Sequence, residues 1–160
     1  MAIIHQALYG SDDLRRVDFA TVLKTLVPHL AASYGVGEQR ARVSIDATPV
    51  YLPLNSAIPC GLIVNELVAN TFKHGFPDGT SGSIHVSLHA SETGEIVLTV
   101  SDTGIGLPDS LDIATSPSLG LKLVHLLASQ LDGAITIQRR DPTRFTLTFA
   151  LQPGGGTTSE

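Results

Sequence analysis

Four polar residues in the stretch 59–77 have the side chains needed to hold a metal–phosphate group. They are Glu66, Asn70, Lys73 and His74. The spacing i, i+4, i+7 and i+8 places them on one face of a helix. Carboxylate and amide oxygens bind hard cations such as magnesium, while cationic side chains pair with phosphate oxygens. A capped core helix with solvated polar residues would show the same pattern, so the stripe alone leaves both interpretations open.

The stretch that carries these residues is predicted to be one buried helix. Prolines bracket it at Pro59 and Pro77, and Gly75 provides a stop signal. Most of its other positions are apolar, and a helix that is apolar on most sides is buried. The polar stripe must therefore line a cleft or find buried partners.

Two glycine-bearing turns further along the chain could each contact a nucleotide. Asp102, Gly104 and Gly106 directly follow a predicted strand. Glycine lets the backbone approach a ligand closely, and a carboxylate can accept a hydrogen bond from an exocyclic amine such as that of adenine. Gly120 begins a helix, whose free N–H groups suit an anion. Either motif by itself is most often only a turn.

The segments that would position these residues show clear helical or strand periodicity. Asp18 is predicted to cap a helix that contains Pro28 and ends at Gly35, and a further helix is predicted over 118–131. Strands with one apolar face are predicted over 41–48, 82–90, 95–101, 134–139 and 144–151. The fold class is therefore α+β, a two-layer α/β sandwich with a mixed sheet of about five strands and three main helices on one face.

Length and composition exclude several classes of protein. A chain of 160 residues with net charge −5 is predicted to form one domain and gives no indication of nucleic-acid binding. It shows no signal peptide and no apolar run long enough for a bilayer, so a cytoplasmic location is expected. Cys60 is predicted to be a buried small hydrophobe. His85 and His89, roughly 13 Å apart on one strand, are too distant to share a metal and are expected to be solvated.

The joint order of these motifs resembles the GHKL ATPase domain over residues 17–151. That superfamily includes gyrase-type ATPases, a heat-shock chaperone family, mismatch-repair ATPases, sensor histidine kinases and anti-sigma serine kinases. The stretches 65–77 and 118–124 are similar to the HWE-like or second-type branch of sensor histidine kinases. Residues 4–11 look like the end of the dimerisation helix pair of that branch. The resemblance implies a Bergerat-type ATP-binding fold.

At the phosphate end of the site, the resemblance implies a role for each residue of the polar stripe. Asn70 would coordinate Mg²⁺, and Glu66 would act as the general base or support it. Lys73 and His74 would lie near the phosphates of ATP. Backbone N–H groups would be offered to the phosphates by the start of the glycine-led helix, at Gly120 and Leu121.

At the adenine end, the resemblance implies that Asp102 accepts a hydrogen bond from the adenine amine, with Gly104 and Gly106 permitting the approach. Thr143 matches the threonine that helps to hold adenine through water. The residue before that threonine is usually glycine in the family, whereas this chain has Pro142.

The resemblance also divides the chain and implies its partners. Residues 1–16 would be the end of a dimerisation helix and a linker, 17–152 the ATP-binding catalytic domain, and 153–160 a flexible tail. The implied activity is that of a protein-histidine kinase, whose phosphoacceptor histidine lies on an upstream dimerisation helix; His5 is not that residue. Implied partners are the dimerisation and phosphoacceptor helices of a homodimeric parent kinase and a response regulator, with no nucleic acid and no membrane contact. This chain alone is not expected to autophosphorylate.

Two other functions stay open at this point. An anti-sigma-factor-type serine kinase would have the same fold, but the short helix predicted over 2–9, with Ile4 and Leu8 one turn apart, has no obvious role in it. A nucleotide-sensing interaction module without transfer activity would not need Glu66, Asn70 and Asp102 together.

Overall fold

Three α-helices and seven strands lie in the residues that the structure, a computed structural model, describes: 16–34, 41–77, 80–112 and 119–151. The helices are α1 (Phe19–Ser33), α2 (Leu54–Asn70) and α3 (Leu119–Gln130), and a π-turn (Thr71–Gly75) continues α2. The strands are β1 (Arg16–Asp18), β2 (Ala41–Ala47), β3 (Tyr51–Pro53), β4 (Gly82–Ala90), β5 (Glu95–Asp102), β6 (Ala134–Gln138) and β7 (Thr143–Ala150).

The larger sheet has five strands in the order β2-β4-β5-β7-β6. β2 runs parallel to β4, and the other neighbouring pairs are antiparallel. Strands β4 and β5 form one antiparallel hairpin and β6 and β7 form another, and the ends of these five strands differ from the predicted ones by at most one residue. The predicted α+β class with a mixed sheet is confirmed.

One face of this sheet is apolar from edge to edge because the inward positions of neighbouring strands are in register. Leu88 pairs with Leu98, and Leu98 pairs in turn with Leu147. All three side chains are at most 2% exposed. The helices cover this face and pack on one another, which gives the two layers that the strand alternation predicted.

Helix α1 begins where the sequence predicts. The Asp18 side chain accepts a hydrogen bond from the Ala20 backbone N–H (3.1 Å), which satisfies a donor that lacks a partner within the helix. The helix then continues through Pro28, which is exposed, and ends at Ser33 with Tyr34 as its cap. The prediction that Gly35 stops it concerns a residue outside the described ones.

Helix α2 begins at Leu54, so the prediction that Pro59 precedes it is wrong. Pro59 lies inside the helix and is buried, together with Ala57 and Cys60. A proline there removes one backbone hydrogen bond of the helix. Burial of this amino-terminal part offsets that cost, and tertiary packing of this kind overrides local propensity. Cys60 is fully buried, as predicted, and burial raises the pKa of its thiol to about 12.

A second, two-stranded sheet was not predicted from the sequence. β1 and β3 pair antiparallel, with Val17 opposite Leu52, and both of these side chains are buried. Segments of three residues are too short to show the alternation that predicts strands. The pair joins the segments that precede α1 and α2, and because it is antiparallel the two helices begin at opposite ends of it.

The outer face of the sheet holds His85 and His89, which are more enclosed than predicted. Both are half-buried, and each contacts a residue of β2. Ser44 Oγ lies 2.7 Å from His85 Nδ1, and Asp46 Oδ2 lies 3.6 Å from His89 Nε2. The two imidazoles therefore interact with separate partners.

Several predicted features lie outside the described residues. They are the short helix at 2–9, the proposed segment 1–16 except for its last residue, and the tail 153–160. In the part of the chain that is described, no helix has both the length and the apolar character needed to cross a membrane.

Candidate functional site

A cavity of about 330 Å³ lies between the carboxyl end of α2, the end of β5 and the start of α3. Small-molecule sites typically enclose about 300–1,000 Å³ and are mainly apolar with a few polar groups. This cavity has that composition. It is lined by Leu67, Asn70, Thr71, His74, Gly75, Asp102, Ile105, Gly106, Leu107, Pro108, Leu111, Leu121, Thr143 and Phe145.

Asp102 is placed in the cavity by strand alternation. Ile96, Leu98 and Val100 point to the helix-covered face of β5, and Asp102 is the next residue of that parity. It pairs across the sheet with Thr143, which has the same inward parity on β7. The apolar row therefore ends in a buried carboxylate and a buried hydroxyl, side by side at the end of the sheet.

The π-turn at the end of α2 packs directly on the loop that follows Asp102. The Ile105 backbone N–H donates to Gly75 O at 3.0 Å. A Cβ on Gly104 would lie 2.2 Å from Gly75 O and 2.9 Å from Asp102 Oδ1. Only glycine fits at position 104 without displacing backbone, because the opposing atom belongs to the main chain.

Asp102 is held by hydrogen bonds from two sides. The Gly104 N–H donates to Oδ1 at 2.8 Å, and the Thr71 hydroxyl lies 3.2 Å from Oδ2. Burial raises the pKa of the Asp102 carboxyl above its usual value, while the bonds from Gly104 and Thr71 lower it. The net shift is upward, because burial removes hydration that stabilises the charged form of the carboxyl.

The rim of the cavity is anchored to the turn between β6 and β7 by two arginines. Arg139 Nη1 donates to Pro108 O (2.8 Å), and Arg140 Nη2 donates to Leu107 O (3.0 Å). Arg140 Nη2 also lies 2.8 Å from Asp109 Oδ1. These contacts fix residues 107–109, two of which line the cavity.

Gly106 starts this anchored segment in a conformation that favours glycine. Its φ is +84°, and a Cβ there would lie 2.8 Å from Arg140 Cβ. On the same side of the cavity, the Thr143 hydroxyl donates to Arg139 O at 3.1 Å. Thr143 follows Pro142, the residue at which the chain departs from the family pattern, and still lies buried at the cavity wall.

The structure brings six of the ten predicted site residues to this cavity: Asn70, His74, Asp102, Gly106, Leu121 and Thr143. Gly104 lies just behind the wall, and Glu66 is half-buried one turn before Asn70 on α2. Gly120 is in the first turn of α3. The role of each residue in binding or chemistry stays a prediction.

Lys73 lies away from the cavity lining. Its Nζ is 5.8 Å from the centroid of the Tyr34 ring, which in turn stacks on Phe72. The regular i+7 and i+8 spacing assumed an α-helix, whereas Thr71–Gly75 form a π-turn with more residues per turn. This difference rotates the end of the predicted stripe relative to Glu66 and Asn70.

Sequence reasoning missed Thr71 as a member of the site. It follows Leu67 by four residues and Val68 by three, so it falls on the buried face of α2. A hydroxyl on a buried face needs a partner, and that requirement was the signal available. Leu67 and Phe145 form apolar walls of the cavity and had no predicted role in the site.

The donor groups here suit a metal that arrives with its ligand. Within the described residues, no group of three or more His, Cys, Asp or Glu side chains is arranged to hold an ion. Mg²⁺ commonly uses one or two protein oxygens and completes its shell with phosphate oxygens and water. The Asn70 amide at the cavity, with Glu66 one turn away, fits that mode.

Two family models match the chain. One, described as "Histidine kinase-, DNA gyrase B-, and HSP90-like ATPase", matches residues 55–153, which is more than half of the chain. A second, described as "Histidine kinase", matches residues 1–34.

Two curated relatives are similar in sequence. Blue-light-activated histidine kinase 2 of Erythrobacter litoralis is 28% identical over 103 residues, covering 64% of this chain and 30% of the relative. Sensor histidine kinase PdtaS of Mycobacterium tuberculosis is 30% identical over 137 residues, covering 84% of this chain and 27% of the relative. The chain thus spans less than a third of the length of either relative.

Solved structures of histidine kinases share the fold. The histidine kinase domain of the Erythrobacter litoralis EL346 blue-light-activated kinase superposes with a TM-score of 0.83 at 22% identity, over 93% of this chain and 70% of that chain. Acinetobacter baumannii histidine kinase AdeS gives a TM-score of 0.67 at 18% identity, over 95% of this chain and 75% of that chain. At these identities the likeness shows the fold alone.

Proposed function

Since the chain belongs to the family of histidine kinase-, DNA gyrase B- and HSP90-like ATPases, we propose that it is the catalytic, ATP-binding domain of a sensor histidine kinase. The observation that carries this proposal is the buried Asp102 carboxylate at the wall of a mainly apolar cavity. Such a site suits a flat, apolar base that carries an amine. A cytoplasmic setting, where ATP is supplied, is part of the proposal.

At the adenine end, Asp102 accepts a hydrogen bond from the exocyclic amine. The carboxylate is desolvated, so an amine donor there replaces part of its lost hydration. Leu67 and Phe145 supply apolar contacts to the base, and Thr143 contributes its hydroxyl. Guanine would place a carbonyl oxygen against the carboxylate, and two acceptors repel each other. Adenine nucleotides are therefore preferred.

At the phosphate end, the Asn70 amide would hold Mg²⁺ through its neutral oxygen, and the ion would neutralise negative charge on the phosphate oxygens. His74 lies at the cavity beside Asn70 and supports the phosphates. The first turn of α3 offers backbone N–H groups at Gly120 and Leu121. Lys73 would have to leave Tyr34 to take part.

The reaction is an in-line phosphoryl transfer to a histidine of the parent kinase. An imidazole nitrogen attacks the γ-phosphorus, a P–N bond forms, and the bond to the β–γ bridging oxygen breaks with ADP leaving. Glu66 orients the imidazole or takes its proton. Catalysis in this class is mainly positioning and charge stabilisation, so one base and one metal ligand suffice.

The parent kinase supplies the partners. We propose that the phosphoacceptor lies on dimerisation helices of a homodimeric parent and that a response regulator receives the phosphoryl group. The match of residues 1–34 to a histidine kinase family model supports this context over an anti-sigma-type serine kinase.

Calorimetric titration with ADP, with and without Mg²⁺, tests the proposal. We expect binding that strengthens with Mg²⁺, and weaker binding of GDP. Asp102→Asn should weaken ADP roughly tenfold or more, since a hydrogen bond to a charged group contributes about 1.5–3 kcal/mol. Asp46→Asn on the outer face of the sheet is the matched control and should bind ADP like the wild type.

The absence of heat and of any thermal shift at millimolar ADP would sink the nucleotide-binding proposal. Equal affinity for ADP and GDP would instead remove Asp102 from base recognition.

A further inference from the structure

Thr71 is a buried hydroxyl that lies between α2 and the candidate adenine site. Its side chain is 7% exposed and lines the cavity. The hydroxyl oxygen lies 3.1 Å from Leu67 O and 3.2 Å from Asp102 Oδ2. A hydroxyl has one proton, so it can donate fully to only one of these two acceptors at a time.

The backbone already serves one of the two acceptors. The Thr71 backbone N–H bonds to Leu67 O and Val68 O, as expected near the end of a helix. Leu67 O therefore keeps a donor whatever the hydroxyl does. Asp102 Oδ2 receives the hydroxyl, while Oδ1 receives the Gly104 N–H. The two donors come from opposite elements and fix the plane of the carboxylate.

We propose that Thr71 is a positioning residue: its hydroxyl holds Asp102 as an oriented, acceptor-only group and thereby sets the preference for adenine over guanine. This inference rests on the proposed function, because it assigns a role in the same base-binding site. It adds a specificity determinant that neither the resemblance nor the family models name.

Removal of the hydroxyl should change the protonation of Asp102. Burial raises the pKa of this carboxyl, and the bond from Thr71 is one of two that lower it. Without that bond the pKa of Asp102 rises further, so the carboxyl takes up a proton at higher pH. A protonated carboxyl is a donor as well as an acceptor. It could then donate to the carbonyl of guanine, and discrimination against guanine should fall.

Few other charged groups face Asp102. Among the described residues that line the cavity, His74 is the other titratable side chain. Three other elements at the cavity contribute side chains without a titratable group. They are the loop after β5 with Ile105, helix α3 with Leu121 and strand β7 with Thr143. His74 is present in the wild type and in every Thr71 variant, so the ratio of their affinities isolates the contribution of Asp102.

The test measures ADP and GDP affinities by calorimetry from about pH 5 to 8, above the ordinary pKa of aspartate, where a raised carboxyl pKa has its effect. Thr71→Val keeps the shape and removes the hydroxyl, and Thr71→Ser restores it. As the pH falls, protonation of Asp102 should weaken ADP binding in both proteins. We expect this weakening to begin at a higher pH in Thr71→Val than in the wild type. At the acid end of the range the loss should reach roughly tenfold. The difference between ADP and GDP affinity should become smaller over the same pH range. Thr71→Ser should show the same dependence of affinity on pH as the wild type.

A purely structural role for Thr71 predicts a different result. In that case Thr71→Val would weaken ADP and GDP equally at every pH. That result, or an unchanged profile, would overturn the inference. Thermal melting checks the fold, and Thr71→Ala replaces Thr71→Val if the valine variant does not fold. If the wild type itself binds no ADP, the proposed function is contradicted. If the wild type binds ADP but Thr71→Val gives the structural result, only the role of Thr71 is contradicted.

Discussion

At the scale of single residues, Asn70 and Glu66, to which we assign different roles, differ in their position relative to the cavity. Asn70 lines the cavity, whereas Glu66 lies half-buried one turn earlier and outside the lining. Side chains at i and i+4 are neighbours on a helix surface. Both can therefore reach one metal–phosphate group, although from different distances, and substitution should affect binding and transfer differently.

The first prediction concerns Asn70 and Glu66. Asn70→Ala should lose the Mg²⁺-dependent part of ADP affinity, because the amide oxygen is its proposed ligand. Glu66→Gln should keep most of the affinity and lose transfer by about 10²–10⁴-fold, as is typical for a general base. Binding is measured by calorimetry. Transfer is measured by phosphorylation of dimerisation helices of a related kinase, supplied in trans.

Two outcomes would contradict these assignments. Full Mg²⁺-dependent affinity in Asn70→Ala would remove the metal role and favour the interpretation of a merely solvated stripe. Transfer at the wild-type rate by Glu66→Gln would make that carboxylate structural. Asn55→Ala, at an exposed position in the first turn of α2, is the control for a change on the same helix.

At the scale of elements, the cavity depends on the contact between the π-turn and the loop after β5. Gly104 allows this contact because it has no Cβ, which at this position would lie too close to Gly75 O. The loop continues into the rim that Arg139 and Arg140 hold. A substitution at position 104 should therefore displace both Asp102 and the rim residues 107–109.

Gly104→Ala tests this coupling. The added Cβ would lie 2.2 Å from Gly75 O, so the backbone of the turn or of the loop must move. We expect ADP affinity to fall by roughly tenfold or more, because a displaced Asp102 would lose its charge-assisted hydrogen bond to the adenine amine. Stability should fall by about 1–3 kcal/mol, as for an overpacked site.

Gly94→Ala is the matched control, in the turn between β4 and β5. Its φ is +88°, so alanine is strained, but nothing lies within 4 Å of the new Cβ. It should lower stability in urea denaturation and leave ADP affinity unchanged. An equal loss of affinity in both variants would show that destabilisation, and not the contact with Gly75, controls binding.

At the scale of the whole molecule, the candidate site lowers stability. The fold buries the Asp102 carboxylate and raises its pKa, mainly through desolvation. Between its ordinary pKa and this raised value, the folded chain binds more protons than the unfolded chain. Stability therefore falls as pH rises through that window.

Asp102→Asn should remove this dependence. The variant should be more stable than the ligand-free wild type near neutral pH, and the difference should disappear as pH falls below the ordinary pKa of aspartate. Urea denaturation of both proteins at acid and neutral pH measures this difference in the free energy of unfolding. A difference that is constant with pH would show that burial of the charge does not limit stability. The same variant should bind ADP poorly, which would separate stability from function.

Much of the fold and part of the site followed from the sequence because they depend on local periodicity. Alternation along the strands set which face is buried, and the same parity placed Asp102 and Thr143 inward. The Asp18 cap likewise depends on bonds within a few residues. The apolar pattern of α2 predicted a buried helix, because burial of an apolar face needs no knowledge of the partner.

Other features were decided only by tertiary contacts. Burial of Ala57 and Pro59 extends α2 back to Leu54 against local propensity. The π-turn packs against the loop after β5. Within this turn, the Lys73 side chain lies beside Tyr34 and outside the cavity lining. Thr71 gains its role from Asp102, which lies 31 residues further along the chain. These outcomes depend on which distant groups meet, and a local pattern carries no information about that meeting.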